Sequence, residues 1–441
     1  MAAPQYTRTP PCGPVSGVEV HGVARFTGIP YAKASRFQKP RPVEKWTDAL
    51  NATKPCPACP QPKDLILNVD LAVALGSSEE CQRLSITAPV LVVPSASLKV
   101  MVWIHGGSFL TGAGDASIYD PSTLVIEHNI IVVNITYRLG LFGYLGDQTS
   151  RPANLGLFDL LQALRWVNKN ISAFGGSNDP ASITVFGQSA GGAAIADLLL
   201  VPESRALFRR AIIQSSPFGI RLGRSKMYEA LLAKCQGISV ASSSDEVVEM
   251  GDKLTEEGLK WGLEGGMVFA PQYGQEPLPD EEQITVKMHD AAPHFEVLIG
   301  TTAHETTLFL DKIPATAWLI DLPVVGSLFH SAISWWSTRV IYSNGAKELA
   351  SLLTQAGGSA SVYVIDWAPN NGRLGSTHAA ELPLLLGDCQ AWTDVPFIGD
   401  SKWENVDQLG KRLRSVWVAF ASGATLKKQD SVEGLIKVWR P

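Results

Sequence analysis

The pentapeptide Gly187-Gln188-Ser189-Ala190-Gly191 sets one serine between two glycines. Ile183, Val185 and Phe186 before it read as a strand, and Ala193, Ala194, Ile195, Leu198 and Leu199 after it as a helix. In a strand–turn–helix of this kind the serine sits on a tight, strained elbow, and small residues two positions either side keep the turn free of clashes. The elbow lifts Oγ clear of the sheet and points it at the positive end of the following helix. A Gly/Ser turn without chemistry is the bland alternative; the flanks on both sides favour a nucleophile. A serine hydroxyl needs a base and an oxyanion hole, so the rest of the chain must supply them.

Ligands of an α/β sheet bind at the carboxyl ends of its strands, and in a G-x-S-x-G hydrolase the acid and then the histidine follow the serine. Of eight histidines, His289, His294, His304, His330 and His378 follow Ser189. His378 comes after the β-like run 362–367 and a Gly-rich loop at 370–377, long enough to swing an imidazole back over the serine. The run 296–299 leads into Gly300-Thr301-Thr302-Ala303-His304-Glu305. Glu305 thus falls just past a strand end, where a carboxylate can hold the imidazole tautomer and stabilise the imidazolium. His304 competes for the role of base; Asp311 and Asp366 are weaker acids, Asp366 because it reads as lying inside a strand. Upstream, the run 101–104 ends in His105-Gly106-Gly107-Ser108-Phe109, whose glycines expose backbone N–H groups to a developing oxyanion. A phosphate cradle is the alternative for that loop, but neither G-x-x-x-x-G-K-[ST] nor a helix-opening G-x-G-x-x-G stands there.

These residues need a scaffold. Apolar runs at 99–104, 130–135, 183–186, 211–214, 296–299 and 362–367 read as strands. Helical stretches lie between them, such as 154–171 with Leu157, Leu160, Leu161, Leu164 and Val167 on one face. Strands separated by helices imply an α/β fold with a mostly parallel sheet covered on both faces. Two irregular stretches, about 216–290 and 311–360, break the rhythm and read as cap-like insertions in a single domain spanning 1–441.

The bulk composition fits a large buried core: 441 residues, 45% hydrophobic and 18% charged. The net charge of −5 and the absence of a basic stripe argue against a nucleic-acid partner. The N-terminal residues lack the basic start and apolar run of a secretory signal, which predicts a cytoplasmic protein, or a secreted one if a leader has been removed. The most apolar window, 317–336, is interrupted by Asp321, Pro323 and His330, so it reads as a pocket wall or buried helix rather than a membrane span. Cys56-Pro57-Ala58-Cys59 has no second pair to complete a zinc site.

At this point the chain resembles the type-B carboxylesterases, the family that includes the cholinesterases. The resemblance rests on Phe26-Thr27-Gly28-Ile29-Pro30-Tyr31-Ala32, Ser78-Glu79-Glu80-Cys81, the HGGSF loop, Asn134-Ile135-Thr136-Tyr137-Arg138-Leu139-Gly140, Asn154-Leu155-Gly156-Leu157-Phe158-Asp159 and Phe174-Gly175-Gly176. FGQSAGG and His378-Ala379-Ala380-Glu381-Leu382-Pro383 continue it. It implies an α/β-hydrolase fold, ester hydrolysis without a cofactor, Ser189 as nucleophile, Glu305 as acid and His378 as base. Gly106, Gly107 and Ala190 are implied as oxyanion-hole donors, Arg36–Glu79 and Arg138–Asp159 as ion pairs, and Cys59–Cys81 as a disulfide.

The chain departs from the pattern in four places. Gln188 stands where many members carry glutamate, the acid loop reads Ala303-His304-Glu305-Thr306 rather than Asp-Glu-Gly, the loop after Ala32 is abbreviated, and only 73 positions separate Glu305 from His378. A reduced cap and a more open pocket follow. The expected substrate is a small to medium, largely apolar ester, with Phe109, Phe218, Trp318, Leu319, Phe329, Trp335 and Trp336 as candidate pocket walls. Carbamate or amide cleavage, or acyl transfer, uses the same triad; a non-catalytic binding protein is the reading from another class. Nothing in the sequence specifies an oligomeric state.

Overall fold

Successive residues of a strand point to opposite faces of a sheet, yet all five residues of Val100–Ile104 are buried, so both faces must be covered. The computed structural model describes residues 5–441 apart from 64–69, 148, 311–324, 373, 394 and 396. Its main sheet is built from β1 (Gln5–Arg8), β2 (Val15–Val20), β3 (Val23–Pro30), β4 (Arg83–Pro89), β5 (Val100–Ile104) and β6 (Ile131–Thr136). It continues through β7 (Ile183–Gln188), β8 (Arg210–Gln214), β9 (Glu296–Thr302), β10 (Ser359–Ile365) and β11 (Ile436–Trp439). The spatial order is β1-β2-β3-β4-β6-β5-β7-β8-β9-β10-β11, with the two-residue strand Leu50–Asn51 beside β2. Every pairing from β6 through β10 is parallel. The strands β1 to β4 join that block antiparallel, as does β11 at the far edge.

All six runs read as strands are strands, and they form the parallel block. The antiparallel strands are additions to the sequence reading. Their pattern explains why: β2 alternates buried and partly exposed residues around Gly17, whereas the parallel strands are continuous apolar runs. One boundary also moves. β10 ends at Ile365, so Asp366 lies beyond the strand and not inside it, pairing with Lys437 Nζ at 2.8 Å near the surface.

The sheet separates two apolar layers. Val102, Ile104, Val133 and Ile213 face one, with Leu157, Leu160, Leu164 and Val167 from helix Leu155–Asn170 packed on them. Trp103, Val132, Phe186 and Ile212 face the other, beneath Leu413, Trp417 and Phe420 of helix Trp403–Ala421. Helices Ser225–Lys234 and Ser244–Gly258 add Met227, Leu231 and Leu254 to the first layer, so this part of the stretch 216–290 shares the main core.

Both expected ion pairs form. Arg138 Nε and Nη2 each donate to Asp159 at 2.8 Å with both side chains buried, tying the end of β6 to a sheet-covering helix. Arg36 Nε reaches Glu79 at 2.9 Å. The disulfide that the resemblance implies is open: Cys59 and Cys81 are buried free thiols. Among the described residues, no helix is long and apolar enough to cross a membrane, and no cluster of three or more His, Cys, Asp or Glu is arranged to hold a metal ion.

Candidate active site

The end of β7 turns straight into helix Ala190–Leu199, with Ser189 as the helix N-cap at φ 57°, ψ −122°. Positive φ is costly for a residue with a Cβ, by about 1–3 kcal/mol, and persists only where the surroundings dictate it. Here Ser189 N donates to Gln214 O at 2.8 Å, and Ser189 O accepts from Ala193 N at 2.9 Å. The flanking glycines are required by contact. A Cβ on Gly187 would lie 2.6 Å from Ile104 O, and one on Gly191 would approach the same carbonyl more closely still.

The loop of residues 105–109 follows β5. His105 is fully buried, stacked on Tyr137 with ring centroids 4.5 Å apart, and its Nδ1 contacts Gly106 O at 2.8 Å. Burial pushes its imidazole down to about 4, so it stays neutral and serves the loop as a packed ring. Gly106 fits directly beneath the elbow: a Cβ there would meet Gln188 O at 2.7 Å and Ser189 Cβ at 3.1 Å. The N–H groups of Gly106 and Gly107 donate to no group among the described residues, and both glycines line the cleft. Ala190 is the first residue of the helix, where amides have no intrahelical acceptor.

Opposite this side, the loop after β9 and the loop after β10 are laced together. His378 N donates to Glu305 O at 3.2 Å, and His304 N to Ser376 O at 2.9 Å. Glu305 is fully buried; its Oε1 accepts from Thr302 N at 2.8 Å and its Oε2 lies 2.6 Å from His378 Nδ1. That pairing assigns the proton to Nδ1 and leaves Nε2 as an acceptor. His304 is exposed beside this pair, Asp366 is occupied by Lys437, and Asp311 lies outside the described residues.

Ser189, His378, Gly106 and Gly107 line one open cleft of about 490 Å³, counting the solvent at its mouth. Its apolar walls are Tyr119, Leu308, Phe309, Leu382 and Phe397. None of these was among the sequence candidates. Phe109 is instead buried against Tyr144, with centroids 4.8 Å apart, and Trp335 and Trp336 point to solvent at 60% and 51% exposure. Phe218 and Phe329 do not line the cleft, and Trp318 and Leu319 lie outside the described residues.

The sequence and the fold match known proteins. A model of the carboxylesterase family covers residues 5–321. The chain belongs to the carboxylesterase family. It is 34% identical to the probable N-octanoylanthranilate hydrolase of Rhodococcus erythropolis, over 94% of this chain and 92% of that one. It is 33% identical to the para-nitrobenzyl esterase of Bacillus subtilis, over 93% and 88%. A solved structure of a thermophilic PNB esterase superposes with a TM-score of 0.79 at 31% identity, over 97% of this chain and 92% of that one. The protein is therefore a serine hydrolase of the carboxylesterase family with an α/β-hydrolase fold.

Two residues of this carboxylesterase-family site escaped the sequence reading. Glu381, 1% exposed, accepts from Gln214 Nε2 at 3.1 Å through Oε1, while its Oε2 has no partner among the described residues. Burial, with the charge of Glu305 adding to it, raises its carboxyl to about 7. Gln214 is also the residue whose carbonyl holds Ser189 N, so one side chain and one backbone group of Gln214 bridge the two sides of the site. The signal for Glu381 was its place three residues after His378; a carboxylate so close to the base in sequence invites a check of its burial.

Proposed function

We propose that this chain hydrolyses a small to medium, largely apolar carboxylic ester through an acyl-enzyme, with Ser189, His378 and Glu305 as the triad and the whole chain as one catalytic unit. The observation that carries this reading is the 2.6 Å Glu305–His378 contact over a cleft whose elbow presents Ser189. Ser189 Oγ attacks the ester carbonyl carbon while His378 Nε2 takes the hydroxyl proton, and Glu305 holds the Nδ1–H. The amides of Gly106, Gly107 and Ala190 donate hydrogen bonds to the oxyanion that develops. Collapse of the tetrahedral intermediate breaks the C–O bond, and His378 returns its proton to the departing alcohol. Water then attacks the acyl-serine with the same base, releasing the acid and restoring Oγ–H.

The apolar walls Leu308, Phe309, Leu382 and Phe397 support an uncharged acyl or alcohol group. Labelling with a fluorophosphonate followed by peptide mapping tests the nucleophile: the label belongs on Ser189, and Ser189→Ala should lose both label and turnover by a factor on the order of 10⁴ or more. A label elsewhere, or a folded Ser189→Ala enzyme with substantial turnover, sinks the assignment.

One observation favours a second reading, amide cleavage. A relative covering nearly the whole chain is named for hydrolysis of an N-octanoyl compound. Matched octanoyl esters and octanoyl anilides would separate the two, since an ester hydrolase should prefer the ester by orders of magnitude.

A further inference from the structure

His378 Nε2, the lone pair that must receive the proton of Ser189, already has a neighbour. Gln188 Nε2 lies 3.1 Å from it, and Gln188 is only 4% exposed. Ser189 Oγ makes no hydrogen bond to His378 among the described residues. The roles in this contact follow from the other ring nitrogen. In the neutral ring with Nδ1–H donating to Glu305, Nε2 is the acceptor, and the amide NH₂ of Gln188 donates to it. Gln188 Oε1 lies on the Gly106 side, 3.2 Å from where a Cβ of that residue would be.

We propose that Gln188 is a positioning residue that caps the proton-accepting lone pair of His378 in the resting enzyme and holds the imidazole neutral. The inference rests on His378 being the base. A donor fixed on Nε2 matches the neutral ring and opposes the imidazolium, which would present a second donor to it. The amide must yield when Ser189 delivers its proton. The sequence neighbour of the nucleophile thereby acts on the base rather than on the nucleophile.

Other groups also face the His378 imidazole. Glu305 and Glu381 are the carboxyls, Tyr342 packs its ring 5.3 Å from the imidazole, and Phe309 closes the other side at 5.4 Å without charge. Glu381 titrates near neutrality by itself, so its contribution has to be separated from that of the base.

The test is the pH dependence of kcat/KM on an uncharged activated ester, for the native enzyme, Gln188→Glu and Gln188→Ala, each repeated in a Glu381→Gln background. A carboxylate at 188 accepts from the imidazolium instead of opposing it, so the acidic limb should move up by about one pH unit. Alanine leaves room for water, which can donate or accept, so its limb should rise by less. Should Gln188→Glu fail to fold, as judged by circular dichroism and thermal melting, the alanine variant carries the test. Limbs that superimpose on the native one, or that move down, overturn the proposal. His378→Ala in the same series separates the two levels: an active His378→Ala enzyme removes the triad reading and this inference with it. An inactive one with superimposed Gln188 profiles removes only the inference.

Discussion

Ser189 is held by its own backbone, whereas His378 is held by the company it keeps. On the nucleophile side, a positive φ, two glycines against Ile104 O and one amide-to-carbonyl bond define the position of Oγ. On the acid–base side, two loops from β9 and β10 meet across 73 positions, joined by backbone bonds and by a buried carboxylate. The first arrangement is steric and tolerates almost no added atom. The second is electrostatic and responds to charge, protonation and the groups around it.

That contrast can be broken most severely at the base. His378→Ala should lower kcat/KM by a factor on the order of 10⁴ or more, while His304→Ala, an exposed change, should stay within about threefold of native. A dead His304 variant beside a live His378 variant, in a simple ester assay, would reverse the assignment. The steric side is tested next. Gly191→Ala drives a Cβ into Ile104 O and should cost about 4 kcal/mol of stability, read as a melting temperature several degrees lower. A native-like melt would mean that the elbow has slack it should not have.

Glu381→Gln probes the electrostatic side without touching a triad residue. The folded carboxyl titrates near 7 against an ordinary value of 4.5, so its neutral form is the one that folding favours. The stability it allows is complete below about pH 4.5 and declines as pH rises toward 7, because only the unfolded chain ionises it freely there. Glutamine removes this loss. Urea unfolding should find the variant more stable than native at pH 8, by at most about 3 kcal/mol, and nearly equal to it at pH 5. Equal midpoints at pH 8 would show that the group is already satisfied. The smallest effect concerns substrate charge. With a neutral amide at 188, a choline ester should show a lower kcat/KM than its uncharged carbon isostere, and Gln188→Glu should raise that ratio by less than about tenfold. A native ratio well above one would place cation recognition elsewhere in the cleft.

The two sides also differed in how far the sequence disclosed them. The elbow, the HGG loop and the six parallel strands were legible because their determinants are local: a glycine two residues away, or an uninterrupted apolar run. Strands β2 and β3 were not, since part-exposed stretches containing glycine look like loop until a partner strand is known; β4, buried from Leu84 to Ala88, was missed because Ser85 and Thr87 interrupt its apolar run. Pocket walls failed for a related reason. Aromatic identity says that a side chain is costly to expose, not which surface covers it, and Phe109 went to the core while Trp335 and Trp336 went to solvent. Leu308 and Phe309 were missed because a short helix, Thr307–Leu310, turns them into the cleft. Glu381 and the Gln188 amide stand close in sequence to the base and the serine, but their contacts come from strands far apart in the chain and could not be read from position alone.

The backbone at Ser189 has a consequence for how such a protein changes over generations. A serine held at φ 57° is a standing thermodynamic debit of about 1–3 kcal/mol, kept only while turnover is selected. Glycine at the same position would relax the strain, so loss of catalysis is a stabilising mutation away. A lineage that kept this scaffold for binding alone would gain stability by emptying the elbow.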